Sequence, residues 1–133
     1  MYRHILIPTD GREGTERAID EAIELARDQG ATLHVLYVVN STSIAPGVDF
    51  EDLSVIGRQA VEYVTDRAQA SGVDTVETAV THGVRHKAIL KYAREHGIDL
   101  VVMGQNRRSE NLFRRSVSKQ VSDAASVPVL IVD

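Results

Sequence analysis

The chain lacks cysteine altogether, since none occurs among its 133 residues. Disulfide bonds and thiolate chemistry are therefore excluded. No apolar run approaches the roughly 20 residues that a bilayer-spanning helix needs. Residues 1–10 are too few and turn polar too soon to form a secretion signal. We therefore expect a cytoplasmic protein that neither spans a membrane nor is exported.

Several common signatures of nucleotide-binding and hydrolytic proteins are also missing. The chain has no G-x-x-x-x-G-K-[ST] pattern, which excludes the P-loop class. It has no G-x-G-x-x-G pattern either, because GREG at 11–14 supplies only G-x-x-G. No serine stands in a G-x-S-x-G pattern, so the α/β-hydrolase class is excluded as well.

The charge is low overall and unevenly distributed. A formal net charge of -4 argues against nucleic-acid binding, which is typical of basic domains. Between Arg107 and Lys119, however, five basic residues stand against a single acid, Glu110. One basic segment in an acidic protein favours a local anion site over a broad polyanion surface.

Apolar runs and helical patterns alternate along the chain. Runs rich in β-branched residues occupy 4–8, 32–39, 75–80, 100–104 and 128–132, and a helical pattern fills each of the four gaps. Strict alternation predicts one α/β domain over 1–133, with an open, five-stranded parallel sheet and helices on both faces. The least regular segment, 40–53, is long enough to form a flap over a ligand.

The carboxyl ends of the predicted strands are where a ligand site belongs. The segments 8–11, 38–40, 81–83 and the residues from 104 onward lie there. Asp10 is the most suggestive acid, because it directly follows the first strand. Its carboxylate could accept hydrogen bonds from a ribose or a base, or help to hold a metal. Alternatively, Asp10 caps the first helix, with Glu13 completing a capping box.

Two histidines, His82 and His86, have the four-residue spacing of a helical metal site. Gly83 and a strand-to-helix break lie between them, so we expect them not to share a helical face and predict no metal site. His4 and His34 fall in strand patterns and are expected to be packed or at a sheet edge.

The segments ILIPTDG at 5–11, VLYVV at 35–39, HGIDLVVMG at 96–104 and SVPVLIVD at 126–133 resemble the universal stress protein family. The resemblance extends over essentially the whole chain. It implies an adenine-nucleotide-type α/β fold with strand order 3-2-1-4-5 and two helices on each face. It also implies a cytoplasmic, stress-related role and a homodimer joined through the last strand.

The last strand supports such a dimer, because an apolar edge strand without charges invites pairing with another chain. The residues expected at this interface are Val129, Leu130, Ile131 and Val132.

The resemblance also implies positions for an ATP site, where one branch of the family carries G-x2-G-x9-G-[ST]. The positions of this chain that match the family's site are Pro8, Thr9, Asp10, Val38, Met103, Gly104, Ser116 and Val117. The middle of the pattern departs from the family. Arg107 and Arg115 replace the second and third glycines, and the segment is two residues shorter.

These replacements change what the segment is expected to bind. A Cβ atom prevents the close backbone approach that glycine allows, whereas an arginine can hold a phosphate or carboxylate through paired N–H donors. Three alternatives stay open: no dedicated nucleotide, ATP or AMP bound in an altered way, or another anion. We expect a regulatory or protective binding module that acts through partner proteins, and we assign no catalytic residue. A weak ATP-hydrolysing or nucleotidyl-transferring enzyme is the competing hypothesis.

Overall fold

The structure is a computed structural model that describes residues 1–10, 15–40, 47, 49–105 and 112–133, without the side chains of 50 and 112–116. Strands and helices alternate along it. The elements are β1 (His4–Thr9), α1 (Glu16–Gln29), β2 (Thr32–Asn40), α2 (Phe50–Ala70), β3 (Val76–Gly83), α3 (Arg85–Glu95), β4 (Leu100–Gly104), α4 (Leu112–Ala124) and β5 (Val129–Val132). All neighbouring strands pair in parallel, in the order β3-β2-β1-β4-β5. The predicted fold class and strand order are confirmed.

Two apolar cores lie on opposite faces of the sheet. Alternate residues of β1 contribute to each, because side chains along a strand point to opposite sides. Ile5 and Ile7 pack in the core beneath α1 and α2, and Leu6 packs in the core beneath α3 and α4. The two-helices-per-face arrangement is therefore confirmed.

Two predicted segments have different boundaries in the structure. Helix α2 begins at Phe50, and the Asp49 carboxylate caps it by accepting a hydrogen bond of 3.0 Å from the backbone N–H of Glu51. Residues 50–53 of the predicted flap are thus the first turn of a helix, while 41–46 and 48 lie outside the described residues. Strand β3 continues to Gly83, because residues 81–83 pair with 38–40 of β2. The prediction that 81–83 follow the strand was therefore wrong.

None of the helices that the structure describes is long and apolar enough to cross a membrane.

Helix α2 approaches the sheet closely at Gly57. A methyl group on Gly57 would lie 2.6 Å from Cδ1 of Tyr37 on β2 and 3.0 Å from Cγ1 of Val80 on β3. Such distances are shorter than van der Waals contact, so any side chain here would push α2 away from the sheet.

A buried polar contact lies near the amino ends of the central strands. His34 is only 1% exposed, and both of its ring nitrogens have partners. Its Nε2 lies 3.0 Å from Nδ1 of His4, and its Nδ1 lies 2.8 Å from the hydroxyl of Tyr92 on α3. Burial, followed by the charge of Glu77, raises the pKa of Tyr92 to about 12, so this hydroxyl keeps its proton. His34 is packed, as its strand pattern predicted.

The surroundings of His34 keep its ring neutral. Burial lowers the pKa of His34 from its ordinary value of 6.5 to about 4. Glu77 and Asp99 raise this pKa, whereas His4 and His96 lower it further, and burial is the largest effect. The 3.5 Å contact between Nδ1 of His34 and Oε2 of Glu77 is therefore not an ion pair at neutral pH.

We predict that Gly57→Ala destabilises the protein although alanine is the better helix former. The gain in helix propensity is about 1 kcal/mol, whereas overpacking at such a site costs about 1–3 kcal/mol and here involves ring and strand atoms. Urea denaturation of the variant measures the difference. Gln59→Ala on the exposed side of α2 is the matched control and should change the unfolding free energy by less than about 0.5 kcal/mol. A Gly57→Ala variant more stable than the parent would contradict the close packing.

We also predict that His34 makes folding stability depend on pH. Because its pKa is about 4 in the folded chain and about 6.5 in the unfolded chain, the unfolded state takes up the proton first. This contribution is fully present above pH 6.5 and is lost as pH falls towards 4, by up to about 3 kcal/mol.

The measurement is the difference in unfolding free energy between the parent and His34→Gln, followed from pH 7.5 to pH 4.5. The parent's advantage should shrink steadily as pH falls. Gln59→Ala, on the exposed side of α2, removes no titratable group and is the control, so its difference from the parent should stay constant. A constant difference for His34→Gln would show that the buried ring does not titrate as described.

Candidate functional site

A cleft opens at the carboxyl ends of β1 and β4. Helix α1, which follows β1, lies on one face of the sheet, and α4, which follows β4, lies on the other, so none of the described helices covers the point between them. The residues that line this cleft are Pro8, Thr9, Asp10, Thr15, Val38, Arg85, Ile89, Met103, Gly104 and Val117.

Most of the predicted site residues meet in this cleft. Seven are brought together there: Pro8, Thr9, Asp10, Val38, Met103, Gly104 and Val117. Arg107 lies outside the described residues, and so do the side chains of Arg115 and Ser116, although helix α4 includes both positions. The roles of these three residues, of which Arg107 and Arg115 carry the departure from the family pattern, thus stay predictions.

The cleft has an apolar interior and polar residues among its lining. Val38, Met103 and Ile89 are buried side chains that contribute to it. Asp10 and Arg85 are the charged members among the described lining residues. Apolar walls with a few polar groups are typical of small-molecule sites, where burial supplies affinity and the polar groups fix orientation.

The proposed capping role of Asp10 was wrong. Helix α1 begins at Glu16 with Thr15 as its N-cap residue, five positions beyond Asp10. Glu13, the expected partner in a capping box, lies outside the described residues. Asp10 instead lines the cleft directly after β1.

The histidine pair does not form a shared helical face. His82 lies within β3, whereas His86 is the second residue of α3. In the described part of the chain, no group of three or more histidine, cysteine, aspartate or glutamate side chains has the arrangement to hold a metal ion.

Sequence reasoning missed Thr15, Arg85 and Ile89. Arg85 was missed because β3 was predicted to end before residue 81, whereas it runs to Gly83 and places Arg85 at the edge of the sheet where the cleft opens. A signal was nevertheless available. The helix begins R-H-K and has no acid in its first turn, which is unfavourable at the positive end of a helix dipole.

The model of the universal stress protein family matches residues 1–133 of this chain. The chain belongs to this family. Universal stress protein YxiE of Bacillus subtilis is 30% identical to it over 148 residues, which cover 99% of both chains. The fold and the family that the sequence motifs implied are therefore confirmed.

Solved structures of two similar proteins carry adenine nucleotides. A universal stress protein in complex with cAMP superimposes with a TM-score of 0.77 at 23% identity, covering 98% of this chain and 96% of that one. A universal stress protein from Archaeoglobus fulgidus in complex with dAMP gives a TM-score of 0.73 at 20% identity, covering 99% of this chain and 98% of that one. Both share the fold of this chain.

Proposed function

We propose that this universal stress protein is a cytoplasmic, homodimeric regulatory module that binds a small adenine nucleotide in the cleft between β1 and β4. The observation that carries the proposal is the cleft lining, which combines buried apolar side chains with Asp10 and Arg85. An adenosine group needs such surroundings, because its base is a flat apolar surface and its ribose hydroxyls need a hydrogen-bond acceptor.

The ligands of two structural neighbours support a nucleotide with a single phosphate. Those proteins are in complex with cAMP and dAMP, and each ligand carries one phosphate group. A single phosphate needs fewer backbone amides around it than a triphosphate does. The replacement of two family glycines by Arg107 and Arg115 therefore weighs against ATP more than against AMP or cAMP.

Binding without hydrolysis fits the described residues better than an enzyme does. The cleft offers one carboxylate, Asp10, and no histidine among its described lining residues. General acid–base chemistry needs a positioned proton acceptor and donor of suitable pKa. We therefore propose that this cleft senses the nucleotide, and that partner proteins recognise the nucleotide-bound form of the chain.

The dimer is proposed to form through β5. This strand pairs with β4 on one side and ends the order of the sheet. Leu130 and Ile131 are 36% and 38% exposed, and the strand VLIV carries no charge. Pairing with a second β5 would cover these side chains and satisfy the free backbone groups of the edge.

We predict that AMP stabilises the protein more than ATP, because one phosphate suits the cleft better than three. At about 100 times its dissociation constant, AMP should add about 2.7 kcal/mol. For a chain of this length, that corresponds to a rise in Tm of roughly 10 °C. Thermal denaturation with AMP, ATP, adenosine and sulfate measures the effect.

The variant that tests whether AMP binds in this cleft is Val117→Phe. Val117 lines the cleft, and the aromatic ring of a phenylalanine at this position would fill it. AMP should no longer raise the Tm of this variant. Val55→Phe on the exposed side of α2 is the matched control and should respond to AMP as the parent does. Absence of any shift in the parent with these nucleotides would remove the proposed function.

We further predict that the parent sediments as a dimer and that Ile131→Lys sediments as a monomer. A buried lysine in the new sheet would lack a partner for its charge. Analytical ultracentrifugation distinguishes the two states. Ile56→Lys, at a 49% exposed position of α2, introduces the same change elsewhere and should leave the dimer intact. A dimer that survives Ile131→Lys would place the interface away from β5.

A further inference from the structure

Helix α3 begins with an unusual arrangement of charge. Its first residues are Arg85, His86 and Lys87, with no acid in the first turn, and the N-cap residue Val84 provides no side-chain hydrogen bond. Free N–H groups and the helix dipole make this end favourable for anions and unfavourable for cations. The basic residues therefore do not serve the stability of the helix itself.

Arg85 also differs from the other half-buried arginine. Among the arginines whose side chains the structure describes, Arg67 and Arg85 are the two of intermediate exposure. Arg67 donates to Glu16 at 2.6 Å and also pairs with Asp20. Arg85 lines the cleft, and its guanidinium has no such carboxylate partner among the described residues.

A half-buried guanidinium without a carboxylate partner suits an anion supplied by a ligand. Arginine presents paired N–H donors that match two oxygens of a phosphate. The backbone N–H groups of the first turn of α3 would add to the attraction. Asp10, on the β1 side of the same cleft, repels a phosphate and so favours its placement towards α3.

We infer that Arg85 is the residue that selects a ligand with a phosphate group over a neutral one in this cleft. The class of ligand is a nucleoside monophosphate, either a phosphate monoester or a cyclic phosphate diester. Asp10 then faces the nucleoside and Arg85 faces the phosphate. This inference rests on the proposed function, because it assigns a specific contact within the same site.

The experiment compares the affinities for AMP and adenosine, measured by calorimetry, in the parent, Arg85→Ala and Arg85→Lys. Loss of a charge-assisted contact should weaken AMP binding to Arg85→Ala by about 10- to 100-fold. Adenosine binding should change by less than about twofold, since it carries no phosphate. Arg85→Lys should recover part of the AMP affinity, because it keeps the charge and loses the paired donors.

Arg94→Ala is the matched control, because Arg94 lies exposed in the last turn of the same helix. It should bind AMP and adenosine as the parent does. The Tm of Arg85→Ala without ligand should equal or exceed that of the parent, since a cation leaves the positive end of the helix. A lower Tm would indicate that Arg85 serves folding and would overturn the inference.

The outcomes separate the inference from the function on which it rests. If the parent binds neither AMP nor adenosine, the proposed function fails and the inference fails with it. If the parent prefers AMP and Arg85→Ala keeps the same preference, the function stands and the phosphate is held elsewhere, so the inference is overturned. Equal loss of AMP and adenosine binding in Arg85→Ala would overturn it as well, because Arg85 would then shape the cleft instead of selecting charge.

Discussion

Strand β1 imposes the constraint on which the rest of the structure depends. It lies in the middle of the sheet, and Ile5, Leu6 and Ile7 are fully buried between the two helical layers. Because these residues alternate between the two cores, a shift of the helices on one face would disturb the packing of both cores. The helices that follow β1 and β4 lie on opposite faces of the sheet, so none of the described helices covers the end of β1. The cleft is therefore a consequence of the topology, and the side chains at the strand ends decide what it can hold.

The two ends of the sheet serve different purposes. Near the amino ends, the ring of His34 is buried with a partner for each nitrogen, an arrangement that stabilises one packing of α3 against the sheet. At the carboxyl ends, polar and charged residues such as Asp10 and Arg85 line an open cleft. Helix α3 connects the two regions, because Tyr92 contacts His34 while Arg85 and Ile89 line the cleft. A fixed position of α3 is thus what holds Arg85 in place.

The sequence predicts the fold well because both faces of the sheet are covered. Strands such as β4, which are apolar on both faces, are easily distinguished from amphipathic helices in the sequence. The predicted end of β4 therefore placed Met103 and Gly104 correctly in the cleft. Predictions at element boundaries were weaker, since local propensity does not fix where tertiary pairing stops. Thr15, and not Asp10, is the N-cap residue of α1, and the extra pairing of β3 with β2 is what places Arg85 beside the cleft. The roles of Arg107, Arg115 and Ser116 stay predictions.

Because Arg107 and Arg115 stand where the family's pattern has glycines, we propose a different kind of phosphate contact for this chain. Glycines serve a triphosphate because the backbone must follow several charged groups closely, and each group needs its own donors. A guanidinium lies at the end of a long side chain, so it can contact a phosphate without a close approach of the backbone. One guanidinium, however, donates hydrogen bonds to one phosphate group. Arg85 has the further advantage of a helical position, since side chains on rigid elements are held more exactly than those on loops. In the proposed function, Arg85 of α3 supplies the cation for a nucleoside monophosphate, whereas a triphosphate would have two phosphate groups without a partner among the described lining residues.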